Sequence, residues 1–399
     1  MSGIVRNRAS GVVSAAAMQR AVSTKVLRSV ALAETKRVSR AHTAPVHCMA
    51  IDKVEHRFLL SAGADTSIQL FDLEATQKTD TCASQIEPAH HIPAESGHTR
   101  LISSIEWYAA DTGMFSTASF DHTVRIWDAV ELTEACQFDL GSRVNSHRMS
   151  ATGSHSLIAA ADESPYIRLC DLATGAFAQT VSAHAQGCAA LAWSPTDPYT
   201  LATGGNDGCL KLWDIRRADS QLYSLDAGNS LSTNPSKRAA ISSVLFTEDG
   251  CRVVSARSDH RVQVWSVTNF PIEPLVDCHI SIETGIGSSA FLSPGPIGAS
   301  MTSAVDGTTA GSEVMFIPNG NTTVAMVDIS SGQQVALLDG HFAPTTCTAW
   351  RVGHLELYTS GADSEIIVWC PPANEALSDA QMEARADAWS DDDSDGPNN

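Results

Sequence analysis

A hydroxyl, an imidazole and a carboxylate recur along this chain at spacings that invite a catalytic reading. Thr117 stands four residues before Asp121, with His98 upstream; Thr203 and Asp207 follow His184 in the same way, and Thr359 and Asp363 follow His341. Such a set can activate a hydroxyl nucleophile, the imidazole taking its proton while the carboxylate orients the ring. Recurrence argues against that use. One active site needs one set, and here an aromatic residue also follows each Asp by six positions, which acyl transfer does not require. His90, His91 and His98, with Cys82 nearby, have the residue types of a zinc site but match no regular finger spacing. "SPGPIGAS" lacks the Lys-Ser/Thr that follows a phosphate-cradling loop. No catalytic residue, metal or cofactor is expected, and no enzyme activity.

The elements that carry these residues are short strands around polar turns. The series runs Ser61, Asp65, Phe71; Thr117, Asp121, Trp127; Thr203, Asp207, Trp213; Ser255, Asp259, Trp265; and Thr359, Asp363, Trp369. Apolar and small residues alternate on either side of each turn, a hairpin signature. Two worn copies, "LIAAADESPYIRLCD" and "SEVMFIPNGNTTVAMVD", place their turns at Asp162 and Asn321. Seven units of about 40–60 residues fit a ring of four-stranded blades. Gly97-His98, Ala183-His184 and Gly340-His341 open three of them. This is the WD-repeat pattern, in which the Trp N–H, the hydroxyl, the His and the turn Asp form one buried chain of hydrogen bonds. The expected fold is all-β: a seven-bladed WD-repeat propeller over residues 35–372.

The last unit has three strands of its own and then Pro371-Pro372, which removes donors and ends pairing. Its outer strand must come from elsewhere, and "TKRVSRAH" (35–42) is the expected donor. Residues 1–34 read as a basic amphipathic helical arm: Met18, Val22, Val26 and Val30 recur every four residues, flanked by Arg20, Lys25 and Arg28. The same acid-poor, Arg- and Ser-containing composition also reads as a transit peptide. Residues 373–399 read as an acidic disordered tail, with Trp389 as a partner anchor and Ser390 and Ser394 as phosphate acceptors among Asp residues.

Charge separates these regions. Residues 1–40 hold eight Lys/Arg against one acid, and residues 374–399 hold eight acids against one Arg. The ends cancel, so the middle carries the whole formal charge of −19. A body this acidic argues against direct binding to duplex nucleic acid. No apolar run approaches the roughly 18 residues of a membrane span. The ten cysteines are scattered without a CxxC pair, which reads as reduced thiols in cytosol or nucleus.

Trp213-Asp214 is followed by Ile215 and Arg216, whereas "LFDLE", "IWDAV", "LCDLA", "VWSVT" and "MVDIS" put no arginine at that place. With "EWYAADTGMFSTASFDHTVRIWD" (106–128), "RLCDLATG" (168–175), "LKLWDIRRA" (210–218), "RAVSTKVL" (20–27) and "DAWSDDDSDG" (387–396), the chain resembles the Cockayne syndrome A family. These are WD-repeat factors of transcription-coupled nucleotide excision repair. The resemblance runs over nearly the whole chain, with a much-altered sixth blade. It implies a nuclear substrate receptor of a cullin-four RING ubiquitin ligase. Its partners would be the ligase's triple-propeller adaptor, a repair-associated chromatin remodeller and stalled RNA polymerase II. It also implies that the adaptor-docking box maps onto Leu201–Arg216, with Asp214 and Arg216 informative, and that the arm bearing Met18, Val22, Val26 and Val30 enters the adaptor. A general WD-repeat scaffold without a ligase link is the other reading, and copurification of adaptor and cullin separates the two.

Overall fold

The computed structural model describes residues 29–372 apart from 34–35, 41, 79–83, 151, 153, 218–220, 226–238, 269–273, 281–297, 303–312 and 320. Every regular element among the described residues is a strand. They form seven sheets, six of four strands and one of five, arranged as the blades of a propeller. Blade two is representative: Ile102–Trp107, Met114–Ser119, Thr123–Asp128 and Glu134–Asp139 pair in antiparallel succession. Its inner two strands are buried almost throughout, whereas its outermost strand is largely exposed. That gradient explains the sequence. Strands covered on both faces are runs of apolar and small residues, and only outer strands carry polar ones.

Between neighbouring blades lie apolar clusters. Ala202, Leu212, Val253 and Trp265 fill the seam of blades four and five, and Leu60, Ile105, Phe115 and Trp127 that of blades one and two. The innermost strands add a polar stitch. Six of them carry a register shift after their first residue, between Val46/Cys48, Ile102/Ser104, Val144/Ser146, Cys188/Ala190, Ile241/Ser243 and Thr345/Cys347. A bulge turns the extra side chain out of the ladder. Three of these side chains use that freedom to reach the next blade. Ser103 Oγ donates to Val144 O at 2.6 Å, Asn145 Nδ2 to Cys188 O at 3.1 Å, and Thr346 Oγ1 to Val46 O.

The ring closes differently from the expectation. Ala31–Leu32, and not residues 35–42, pair antiparallel with Ile366–Cys370 as the outer strand of blade seven. Val30 is buried in that seam with Phe316, Trp350 and Trp369, and Ala33 is buried beside Ile366 and Val368. Apolar Val30 and Ala33 can enter a dry seam; the charged run from Lys36 cannot. Lys36–Val38 instead run parallel to Ser84–Ile92 as a fifth strand of blade one. The propeller therefore begins before residue 35, and Val30 belongs to its core and not to a docking stripe. Met18, Val22, Val26, Trp389, Ser390 and Ser394 lie outside the described residues.

Candidate docking edge

The recurring hydroxyl–imidazole–carboxylate sets are structural. In blade two Trp127 Nε1 donates to Thr117 Oγ1 at 2.8 Å, Thr117 Oγ1 lies 2.7 Å from His98 Nε2, and His98 Nδ1 lies 2.8 Å from Asp121. Thr117 already accepts the indole N–H, so its own proton goes to Nε2 and the ring's proton sits on Nδ1. Blade four repeats the chain through Trp213, Thr203, His184 and Asp207, and blade seven through Trp369, Thr359, His341 and Asp363. His98, His184 and His341 are all buried, as are the three threonines. Burial pushes the Asp121 carboxyl up, but hydrogen bonds from His98, Thr123 and the Thr99 amide outweigh it and leave Asp121 well below the usual carboxylate range. The balance has the same direction at Asp207. Every polar group has a partner, and no hydroxyl is held out toward a substrate.

Blade one completes a fourth set through a residue the pattern missed. His42 Nε2 lies 2.7 Å from Ser61 Oγ and Nδ1 lies 3.0 Å from Asp65, with Phe71 in the indole's place. The signal was present: His42 precedes Asp65 by 23 residues, as His98 precedes Asp121 and His184 precedes Asp207. Among the described residues, blade five keeps the Trp265–Ser255 bond, at 3.4 Å. Its Asp259 accepts from the Arg261 amide at 3.3 Å and lies 3.6 Å from Arg257. In blade three Asp162 is the buried last residue of Leu157–Asp162 and accepts from Ser142 Oγ at 2.6 Å. Pairing of Ala161 with Ile167 puts Ser164, and not Asp162, at the turn position. The histidine cluster separates as well: His90 and His91 are consecutive on one strand, and His98 is committed to Asp121. No group of three or more His, Cys, Asp or Glu among the described residues is placed to hold a metal.

One further imidazole is buried at the inner seam. His147 contacts Ser104 Oγ through Nδ1 and lies 2.7 Å from Ser116 Oγ through Nε2, tying blade three to blade two. Burial holds its pKa down at about 3, so it is neutral in the fold.

The docking-box residues lie at the rim of blade four. Leu210–Asp214 is the third strand, and Asp214 is buried while Arg216 is exposed in the turn beyond it. Arg216 is not an idle surface charge. Its Nε and Nη2 donate to the two carboxylate oxygens of Asp214 at 3.0 and 2.9 Å, and its backbone N–H donates to Asp214 Oδ1 at 3.0 Å. The guanidinium also lies 4.5 Å from the centre of the Tyr199 ring. The fork holds the Asp214 carboxyl below its ordinary value and raises Arg216.

Topology relates this rim to the arm. Third strands of all blades run toward the same face of the ring, so the Asp214 end of blade four and the Cys370 end of blade seven share a face. Ala31 pairs with Cys370 and Leu32 with Trp369, so the chain before Ala31 joins the ring from that face. The origin of the basic segment and Arg216 therefore lie on one side of the disc.

Comparison with known proteins agrees with this architecture. The family profile described as "WD domain, G-beta repeat" matches residues 34–72 and 90–128, and "Nucleolar protein 10-like, N-terminal domain" matches 148–272. The chain is 28% identical to WD repeat-containing protein ATCSA-1 of Arabidopsis thaliana, over 97% of this chain and 99% of that protein. It is 27% identical to Radiation-sensitive protein 28 of Saccharomyces cerevisiae over 55% of this chain and 49% of the yeast protein. The ribosome biogenesis protein WDR12 homolog of Oryza sativa is 28% identical over 46% of this chain and 45% of its own length. Repeated hydrogen-bond sets, a seven-sheet ring and these similarities make the chain a seven-bladed WD-repeat propeller.

Proposed function

We propose that the chain is a substrate-receptor subunit of a cullin-four RING ubiquitin ligase, acting in the nucleus in transcription-coupled nucleotide excision repair. The observation that carries this reading is the shared face of the Asp214–Arg216 rim and the origin of the basic segment, in a chain similar from end to end to ATCSA-1. In this reading the rim and the segment bearing Met18, Val22 and Val26 grip the triple-propeller adaptor. Another surface holds the protein to be modified, in company with a chromatin remodeller and stalled RNA polymerase II. Ubiquitin transfer belongs to other subunits, and this chain acts by bridging. The −19 charge disfavours direct contact with duplex DNA, leaving damage recognition to partners.

Affinity purification of the full chain before and after transcription-blocking damage tests the reading. Adaptor and cullin should copurify under both conditions, and the remodeller and polymerase after damage. The half-length similarity to a ribosome biogenesis protein favours the second reading, a WD-repeat scaffold without a ligase link. Recovery of other complexes with neither adaptor nor cullin would establish that one instead.

A further inference from the structure

The cations of this chain are unevenly chosen. Of its 26 Lys and Arg, only Lys25, Lys36, Lys53, Lys78, Lys211 and Lys237 are lysines, although lysine is ordinarily among the commonest residues. The strands of blades two, three, five, six and seven contain none. Arginine is the better cation where its planar fork is used, as Arg57 uses it on Asp72. Arg100 does not use it: the residue is exposed, with no carboxylate within 4 Å among the described residues. Arg143 lies 3.5 Å from Glu163 through one nitrogen, a contact that a lysine could make as well.

What arginine withholds is nucleophilicity. A deprotonated lysine amine has a lone pair to give, whereas the guanidinium keeps its proton at any physiological pH. In ubiquitin transfer the amine Nζ attacks the carbonyl carbon of the thioester between the ubiquitin C-terminus and the conjugating enzyme. The C–N bond forms, the C–S bond breaks, and the amine's proton goes to the departing cysteine sulfur.

Strand direction sorts the cations by face. The first and third strands of a blade run the same way, so residues following either lie on the face of Asp214 and Arg216. Residues preceding them lie on the opposite face. Arg100 precedes Ile102–Trp107, Arg143 precedes Val144–Met149 and Arg261 opens Arg261–Ser266, and all three are exposed. Of the described lysine side chains only Lys53 is exposed, and it follows Val46–Ile51, on the Arg216 face. The amine of Lys36 is bonded to Glu356. Lys211 starts near the opposite face, but its Nζ donates to Ala183 O at 2.5 Å and lies 5.8 Å from the centre of the Trp213 ring. Lys25 and Lys237 lie outside the described residues.

We infer that the face of the propeller away from Arg216 carries its positive charge as arginine so that ubiquitin is not attached there. An acidic body keeps its exposed cations, and the amines met by the ubiquitin-loaded enzyme are those of the bound protein. This arrangement has a use only within the receptor reading, on which it rests. It adds to that reading which face looks toward the enzyme, and why the receptor outlasts the protein it presents.

Reconstitution tests it. The full chain is assembled with purified adaptor, cullin and RING subunit, then supplied with ubiquitin, its activating and conjugating enzymes and ATP. Arg100→Lys and Arg143→Lys keep the charge and should keep the wild-type melting temperature. Ubiquitin sites are mapped by peptide mass spectrometry. Each introduced amine should be modified, raising ubiquitin on the described residues of the propeller roughly tenfold, because an amine carried within the complex reacts at high effective concentration. Lys53 should stay bare in every chain, including wild type. Free ubiquitin chains made in the same mixture show that the ligase is active. Introduced amines left bare in an assembled, active ligase would overturn the inference alone, as would ubiquitin on Lys53. A wild-type chain that does not assemble with adaptor and cullin would overturn the receptor reading, and the protected face with it.

Discussion

Lys36 Nζ lies 2.7 Å from Glu356 Oε1, joining residues 320 apart in sequence across the seam where the ring closes. Glu356 also accepts from Tyr358 Oη at 2.8 Å and Arg351 Nη1 at 3.1 Å, while Arg351 Nε donates to His56 O at 2.5 Å. Burial works against ionisation of Glu356, but the bond from Lys36 and those beside it hold its pKa below the ordinary value. A carboxylate so placed ties the first blade's fifth strand to the seventh blade.

Lys36→Ala should therefore lower the stability of the whole ring. Arg351 and Tyr358 remain as partners of Glu356, so the loss should be about 1–3 kcal/mol, less than for an orphaned buried charge. Urea denaturation reads it directly. An unchanged midpoint would mean that apolar packing alone closes the ring.

Truncations separate arm from clasp. Removing residues 1–28 spares Val30 and the Ala31–Leu32 strand, so the melting temperature should hold while adaptor binding falls. Removing residues 1–34 uncovers the blade-seven seam. Roughly 3 kcal/mol of burial and pairing is then lost, a drop on the order of 4 °C in a chain of this size. Thermal melting of both truncations checks the boundary, and equal melting would place the closing strand elsewhere.

Trp213 and Arg216 should part company under mutation. Trp213→Ala removes a buried indole and the donor to Thr203, at a cost of roughly 3–5 kcal/mol. Arg216→Glu breaks a half-exposed ion pair and should stay within about 1 kcal/mol of wild-type stability. It should nevertheless lose the adaptor. Melting and pull-down on the two variants together decide it, and unfolding of Arg216→Glu would make the residue structural.

Acid should loosen the seam of blades two and three. His147 has a pKa of about 3 in the fold and the ordinary 6.5 once unfolded. Between those values the unfolded chain binds a proton that the fold refuses, so stability falls as pH falls from 6.5 toward 3. Asp121 adds to the loss lower down. Its carboxyl is depressed, so its contribution is present above 3.8 and disappears as pH drops through the folded value. His147→Gln should flatten the stability profile between about pH 6.5 and 4. Denaturation at several pH values shows this, and an unaltered slope would acquit His147.

Local pattern determined the blades. Each Ser or Thr, turn Asp and Trp belongs to one hairpin, so strand register alone brings Thr203 and Trp213 to 2.9 Å, and the pattern is visible at a fixed spacing. His42 was equally legible by its interval to Asp65. Charge segregation at the two ends was also plain from composition. What the linear pattern left open were choices made between distant segments. Two adjacent stretches competed to cover blade seven, and burial selected Val30–Leu32 because a dry seam accepts valine and alanine where it rejects the charged run from Lys36. Asp214 and Arg216 are neighbours in any conformation. The guanidinium also lies 4.5 Å from the Tyr199 ring, which in turn lies 5.9 Å from His155, a residue of another blade. Such an arrangement has no periodicity to read, because it exists only where two blades meet.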